Sequence, residues 1–227
     1  NREKNSTSNF RYLSRLTKNN GTGSYYSDIF SEWNLFYNNK KSKKARYNLK
    51  RQEKQLSKIG IIKYSITENE NIDFFIEKMI EFKSNFYNRN NIKNIFLSTT
   101  FKKNFINFYK MLNEKDLLSI NCLYLNNEII AIHIGYIYKK SFYYIFPSYN
   151  LNYKEYSPGI LLLKYIMKNA FDNKLSKFDF TIGDEEYKLS WSNKNVMLSE
   201  TIKFISTKGL IPYILISIKN FIKRIVK

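Results

Sequence analysis

Apolar residues recur every three or four positions in several stretches of the chain, and this spacing predicts helices. The stretches are residues 43–59, 72–85, 100–112, 158–170 and 210–227. In the first of them, Ala45, Leu49 and Leu56 share one side, and Gly60 follows as a natural stop. The last stretch has an apolar side and a basic side and is too short to cross a bilayer. We therefore predict that it docks on the body of the protein or lies on an anionic membrane.

Alternating or continuous apolar runs in the remaining stretches predict strands. These runs are residues 61–66, 119–125, 129–138, 141–146, 177–182 and 196–205. The short turns at residues 126–127 and 139–140 imply an antiparallel meander, because tight connections join antiparallel neighbours. A helix then leads to the 177–182 strand, where Phe178, Phe180 and Ile182 share one face. The order of elements predicts an α/β fold (α+β) built on a mixed sheet.

Two polar stretches interrupt this pattern. Residues 1–24 are rich in Asn, Ser, Thr and Lys and are predicted to be an irregular lead-in. Residues 86–98 form a polar loop long enough to border a substrate site. The chain begins with Asn1, which suggests that the sequence is a piece of a longer protein.

The helix at residues 158–170 opens with a loop that suits an anion. Ser157 is a favourable N-cap, Pro158 fits the first helical position and Gly159 has no side chain to obstruct a ligand. The N–H groups at such a helix start can bind phosphate. An ordinary capped helix packed on a sheet has the same sequence pattern.

A polar turn follows the 177–182 strand directly. Gly183 ends the strand, and residues 184–188 then supply three carboxylates, a tyrosine and a lysine. Open α/β folds place their sites beyond strand ends, and these side chains can move protons. The turn is therefore the candidate for catalytic chemistry.

The chain carries a net charge of +19 over 227 residues. Such an excess favours an anionic partner, which can be a phosphate-bearing cofactor, a nucleic acid or an acidic membrane surface. Abundant Lys, Asn, Ile, Tyr and Phe also fit an A/T-rich genome, so codon bias is a competing explanation of the lysines. The composition leaves both explanations open.

Cysteine and histidine are too scarce for most metal or thiol chemistry. Cys122 is the single cysteine and His133 the single histidine, so we expect no disulfide and no metal site. Cys122 lies among apolar strand residues, as an inert buried thiol does, and His133 is predicted to be structural. The absence of a signal peptide or a membrane-spanning run suggests a cytoplasmic protein.

Two stretches resemble a known family. Residues 156–191 read YSPGILLL…FDFTIGDEEYKLSW, and Trp33 is followed by a basic helix that begins SKKARYNLKR at Ser42. Both are similar to the CelD/BioF2-like acetyltransferases of the GNAT superfamily, which are related to the FemABX transferases. The resemblance runs from about residue 33 to residue 204. It implies a lead-in over 1–42 that is the end of an N-terminal lobe, a basic helix over 43–60, an acyl-CoA N-acyltransferase (GNAT) fold over 61–207 and a C-terminal basic helix over 208–227.

The resemblance also implies a reaction and a set of site residues. An amine or hydroxyl attacks the thioester of acyl-CoA, and the expected donor is acetyl-CoA. The acceptor is expected to be a sugar or an envelope-polysaccharide precursor. The residues implied in donor binding are Tyr156, Ser157, Pro158 and Gly159. Tyr187 is implied as the acid and Asp184 or Glu186 as the base. Lys188 and Asp179 are implied in substrate binding.

The phosphate loop departs from the common GNAT pattern, which has two glycines and a preceding Gln or Arg. Here Gly159 stands alone and no arginine precedes it. A FemABX-like aminoacyl transfer from aminoacyl-tRNA, which suits a basic chain, is therefore the alternative. A non-catalytic basic binding or membrane-surface module on the same scaffold is a further one.

Overall fold

The structure is a computed structural model that describes residues 17–67 and 71–201. Contacts between residues group 23–196 into one compact unit, and the described residues 17–22 and 197–201 belong to another. The predicted C-terminal helix at residues 210–227 lies outside the described residues.

Strands and helices alternate along the described chain. The strands are β1 (Thr17–Asp28), β2 (Ile62–Thr67), β3 (Leu118–Leu125), β4 (Glu128–Tyr138), β5 (Ser141–Tyr149), β6 (Lys177–Ile182) and β7 (Lys194–Thr201). The helices are α1 (Trp33–Lys40), α2 (Lys43–Leu56), α3 (Ile72–Arg89), α4 (Thr99–Glu114), α5 (Pro158–Asp172) and α6 (Glu186–Trp191), with short 3₁₀ helices at Ile95–Leu97 and Leu151–Tyr156. The elements predicted between residues 43 and 182 are confirmed, with end points that shift by a few residues.

The described strands form a seven-stranded mixed sheet in the order β2-β3-β4-β5-β6-β1-β7. The meander from β2 to β5 is antiparallel, β5 and β6 run parallel, and β1 lies antiparallel to β6. The single parallel pair follows from the α5 crossover, because a helix between two strands returns the chain in the same direction. The predicted α/β fold on a mixed sheet is confirmed.

Helices cover both faces of this sheet with apolar side chains. On one face, Leu49 of α2, Leu161 of α5 and Trp191 of α6 pack with Phe178 and other core residues. On the other face, α3 and α4 bury a second cluster that includes Ile76 and Phe105. The edge of β5 next to β6 therefore lies between the helices packed on the two faces of the sheet.

Two sequence predictions are wrong in this region. Residues 17–24, predicted to be irregular, lie in β1, which pairs with β6 from Ser24↔Ile182 to Asp28↔Lys177. A partner about 150 residues away supplies the hydrogen bonds that a polar local sequence does not foretell. Ile182 was expected beside Phe178 and Phe180, yet it is exposed, because the β1–β6 register shifts between Tyr25 and Tyr26.

Candidate active site

The pairing of β5 with β6 covers only three residue pairs. It runs from Ser141↔Lys177 to Tyr143↔Asp179, and β5 then continues to Tyr149 without β6 as its neighbour. β6 stays paired with β1 as far as Ile182, and the β1–β6 register shifts opposite Phe180. The parallel strands therefore separate and leave an edge of β5 open to a ligand.

A cavity of about 710 Å³ lies at this opening. Side chains of α3, the free half of β5, the start of α5 and the turn before α6 all line it. Its aromatic and aliphatic walls include Phe82, Phe86, Tyr144, Tyr149 and Ile160. Its size and mixed lining are those of a small-molecule site.

The loop at the start of α5 supplies one wall of the cavity. Ser157 and Gly159 line it, whereas Pro158 is buried and Tyr156 packs against the core. A Cβ on Gly159 would stand 3.2 Å from Cδ1 of Tyr149, so a larger side chain crowds this wall. The N–H of Gly159 has no acceptor among the described residues, which leaves a donor free at the helix start.

Ser157 is the N-cap residue of α5 and Pro158 its first helical residue, as predicted, but the Ser157 side chain does not form the expected capping bond. The residue adopts a left-handed conformation with φ 50° and ψ 48° and makes no side-chain capping bond. Its Oγ instead accepts a 2.9 Å hydrogen bond from Nε2 of Gln52 on α2. The hydroxyl is thus bonded to a helix that lies about 100 residues earlier in the chain.

The turn after β6 depends on Gly183, whose φ is +129°. A Cβ there would collide with Oε2 of Glu185 and come within 2.7 Å of Nζ of Lys188. Lys188 is buried; its Nζ donates a 2.6 Å hydrogen bond to the Ile182 carbonyl and lies 2.9 Å from Glu185 Oε2. Gly183 thus permits a compact ion pair beside the cavity.

Tyr187 and Lys188 both line the cavity, together with Glu185. The Tyr187 ring lies 6.3 Å from that of Tyr144, which is buried in the cavity wall. Burial, and secondarily the negative charge of Glu185, raises the pKa of the Tyr187 phenol. At neutral pH this hydroxyl is therefore protonated.

The other acidic residues named from the sequence do not line the cavity. Asp184 Oδ1 accepts hydrogen bonds of 3.1 Å from Gly23 N and from the Tyr25 hydroxyl of β1. Glu186 is exposed in the first turn of α6. Asp179 is buried in the sheet, where its Oδ1 accepts the N–H of Thr181 at 2.8 Å.

Sequence reasoning missed Lys83, Glu185 and Ser148, all of which line the cavity. Lys83 lies on α3, whose apolar periodicity gives no sign that one lysine faces inward. Glu185 stands between two carboxylates in the quoted turn, and its position three residues before Lys188 was the available signal. For Ser148 the sequence carries no signal.

A short aromatic stack joins α1 to α6. Trp33 and Tyr37 stack on Trp191, with ring centroids 6.4 and 5.9 Å away. Nζ of Lys41 lies 4.0 Å from the Trp191 ring and donates a 2.8 Å hydrogen bond to Ser190 Oγ. These contacts fasten α6 to α1 and to Lys41, which precedes α2.

Cys122 and His133 are both fully buried in the sheet. Burial raises the pKa of the Cys122 thiol to about 12, so the thiolate is not accessible at neutral pH. His133 stacks on Tyr144 at 4.2 Å, and its Nε2 accepts the N–H of Ile145. Within the described ranges, no group of three or more His, Cys, Asp or Glu residues is placed to hold a metal ion, and no helix is long and apolar enough to span a membrane.

Comparisons with known proteins agree with this architecture. A family model described as "Acetyltransferase (GNAT) domain" matches residues 43–189. No curated protein sequence matches the chain.

Two solved structures share the fold. The crystal structure of FemX superposes with a TM-score of 0.61 at 10% identity, over 79% of this chain and 61% of FemX. A conserved protein of unknown function from Bacteroides thetaiotaomicron superposes with a TM-score of 0.54 at 13% identity, over 81% and 59%. The chain therefore spans about three fifths of the length of each of these structures.

Proposed function

The chain belongs to the GNAT acetyltransferase domain family, and from that premise we propose that it transfers an acyl group from acyl-CoA to an amine or hydroxyl. The proposal rests on one observation: the start of α5 and Tyr187 line the same cavity where β5 and β6 separate. Acetyl-CoA is the proposed donor, and a sugar or envelope-polysaccharide precursor the proposed acceptor. The proposal places the protein in the CelD/BioF2-like branch and in the cytoplasm, peripheral to the inner face of the membrane.

The loop of Ser157 and Gly159 is the proposed site for the donor pyrophosphate. The free N–H of Gly159 and the positive end of α5 favour a negative group there. Lys154, also in the cavity lining, adds a positive charge beside this loop. Close approach of phosphate oxygens requires that residue 159 carry no bulky side chain.

The turn before α6 supplies the groups that the reaction needs. The acceptor nucleophile attacks the thioester carbonyl and loses its proton to a base, and the C–S bond breaks as the thiolate takes a proton from an acid. Tyr187 is the proposed acid, since it lines the cavity and its hydroxyl is protonated at neutral pH. Glu185, the carboxylate of the turn that lines the cavity, is the proposed base in preference to Asp184 and Glu186.

Lys188 is proposed to orient this base and to attract an anionic group of the substrate. Its Nζ donates a hydrogen bond to the Ile182 carbonyl and lies 2.9 Å from Glu185 Oε2, and an ammonium has three N–H donors in all. Asp179 accepts the backbone N–H of Thr181. It is proposed to influence substrate binding only by fixing the course of β6 beside the cleft.

Aminoacyl transfer from tRNA is the second candidate, and the surface of α2 favours it. Lys43, Lys44, Lys50, Arg51 and Lys54 are exposed on this helix, and none forms an ion pair within the described part of the chain. A row of unpaired cations suits the phosphate backbone of RNA. The same charges suit an anionic membrane surface.

Calorimetry with acetyl-CoA, longer acyl-CoAs and charged tRNA tests the donor directly. We expect acetyl-CoA to bind, with Gly159→Val weakening it at least tenfold and Gly159→Ala less. Tyr187→Phe should retain donor binding and lower kcat about a hundredfold. Tyr138→Phe, an exposed tyrosine outside the cavity, is the matched control. Binding of charged tRNA without any binding of acyl-CoA would reject the proposal in favour of aminoacyl transfer.

A further inference from the structure

Lys83 lines the cavity from α3, and the carboxylate whose charge reaches it, Glu185, forms its ion pair with Lys188 instead. Nζ of Lys83 donates one long hydrogen bond, 3.3 Å, to the Pro147 carbonyl and forms no ion pair with the described residues. The rings of Phe86 and Tyr87 lie 5.9 and 5.8 Å away. A partly buried ammonium is costly unless a counter-charge accompanies it, so this position calls for an anion.

The positive charge of the cavity wall also favours a bound anion. Lys83, Lys154 and Lys188 line the cavity, and the carboxylate of Glu185 is already paired with Lys188. Burial lowers the pKa of Lys83, and the positive charge of Lys188 acts in the same direction, while Glu185 opposes both. A bound anion would relieve this penalty on the charged ammonium.

Ser148 offers a second, independent sign of a ligand. The residue is 5% exposed and lines the cavity, yet its Oγ has no hydrogen-bond partner in the described part of the chain. A buried hydroxyl normally has a hydrogen-bond partner, and leaving one without a partner is unfavourable. The open edge of β5 thus presents an unsatisfied donor to whatever occupies the cavity.

Ser148 lies on the same face of the sheet as Lys83. The β4–β5 register shifts between Ile134 and Tyr136, so that Tyr144 packs on the α5 side and Phe146 on the α3 side. Ser148 follows Phe146 by two residues and therefore points to the α3 side by strand alternation. The proposed donor loop touches Tyr149, which faces the opposite side.

We propose that Lys83 and Ser148 form an anion subsite on the α3 side of the cavity that binds a carboxylate or phosphate group of the acceptor. Assignment of the anion to the acceptor rests on the proposed acyl transfer, which places the donor phosphates at the start of α5. The subsite restricts the acceptors to molecules that carry an anionic group as well as the nucleophilic amine or hydroxyl. The ammonium of Lys83 supplies the charge, and the Ser148 hydroxyl donates a hydrogen bond to the same group.

The subsite is tested by NMR titration of the 227-residue chain with inorganic phosphate and with acetate, at constant ionic strength set by chloride. No acyl donor is present. The backbone amide signal of residue 148 reports binding, in the parent protein and in Lys83→Met, Lys83→Arg, Ser148→Ala and Lys103→Met. Lys103 is an exposed lysine of α4 and serves as the charge-matched control.

We expect a saturable shift in the parent protein, a Kd raised at least tenfold in Lys83→Met, a smaller rise in Ser148→Ala and no change in Lys83→Arg or Lys103→Met. A stronger response to phosphate than to acetate would identify a phosphorylated acceptor, and the reverse a carboxylated one. No saturable shift in the parent protein, or an unchanged Kd in Lys83→Met, overturns the subsite.

An acyl-transfer assay then tests whether the bound anion belongs to the acceptor. With acetyl-CoA as donor, Lys83→Met should raise the KM for glucosamine 6-phosphate at least tenfold and leave that for glucosamine unchanged. Equal effects on both acceptors overturn the assignment to the acceptor. Failure of acetyl-CoA to bind, beside a normal anion titration, rejects the acyl-CoA proposal and leaves the subsite standing.

Discussion

Gln52 Nε2 donates a 2.9 Å hydrogen bond to Ser157 Oγ, which joins the middle of α2 to the residue where α5 begins. One residue further along α2, Glu53 pairs with Lys164 of α5 at 2.7 Å and accepts a hydrogen bond from Tyr165. These contacts fix the loop that forms one wall of the cavity. The basic helix is thus part of the framework of the site as well as a charged surface.

Replacement of Gln52 by leucine is expected to weaken donor binding about fivefold, because the loss of one hydrogen bond worth about 1 kcal/mol frees the Ser157 loop. The measurement is the Kd of acetyl-CoA by calorimetry. Gln55→Leu, an exposed position on the same helix, should leave it unchanged. Equal Kd values in both variants would show that α2 does not order the loop.

The fluorescence of Trp191 is expected to change with a midpoint near pH 8. Burial, together with the positive charge of Lys40, lowers the pKa of Lys41 to about 8, so the ammonium over the indole ring loses its proton as pH rises through that value. Fluorescence titration of the parent protein should show the transition, and Lys41→Met should lack it. Lys40→Met should shift the midpoint upward, and a midpoint that does not move contradicts the coupling.

His133 is expected to make the protein sensitive to mild acid. Burial lowers its pKa from 6.5 to about 3, so the folded state resists a proton that the unfolded chain takes up below pH 6.5. The free energy of unfolding therefore keeps the full contribution of neutral His133 above pH 6.5 and loses it as pH falls toward 3. At pH 5 the loss is about 2 kcal/mol.

Urea unfolding at pH 7 and pH 5 measures this loss. His133→Gln, which keeps an acceptor for the Ile145 N–H, should remove most of the difference between the two pH values. Because His133 is the single histidine of the chain, no other histidine contributes in this range. The same pH dependence in the variant would refute the assignment.

Asp179 is expected to hold the bend where β6 leaves β5. Its carboxylate accepts the N–H of Thr181, a β-branched residue at the unusual φ of 63°. Asp179→Ala should lower the free energy of unfolding by about 3 kcal/mol, and Asp179→Asn by less, since the amide oxygen still accepts the bond.

Chemical denaturation compares these variants with Asp172→Ala. Asp172 forms an exposed pair with Lys168 and should contribute about 0.5 kcal/mol or less. Similar losses for Asp179→Ala and Asp172→Ala would show that the buried carboxylate does not support the bend.

The sequence by itself determined the elements whose signals are local. Apolar periodicity specified α3, α4 and α5, and the alternation of Phe178 with Phe180 specified β6, because a helix or strand buries side chains at a fixed spacing along the chain. Short turns specified the β3–β4–β5 meander, since tight connections join antiparallel strands. The turn of residues 184–188 stood out by composition, and Tyr187 and Lys188 do line the cavity.

Only the tertiary structure decided what depends on partners distant in the sequence. β1 forms by pairing with β6, and the Ser157 hydroxyl accepts a hydrogen bond from Gln52 instead of capping α5. The shift in the β4–β5 register, set between strands, decided that Ser148 joins Lys83 on one side of the cavity. Which carboxylate of the turn reaches the cavity was decided by β1 as well, because Gly23 and Tyr25 hold Asp184 away from it. Local sequence carries no information about such contacts, which arise only when the sheet assembles.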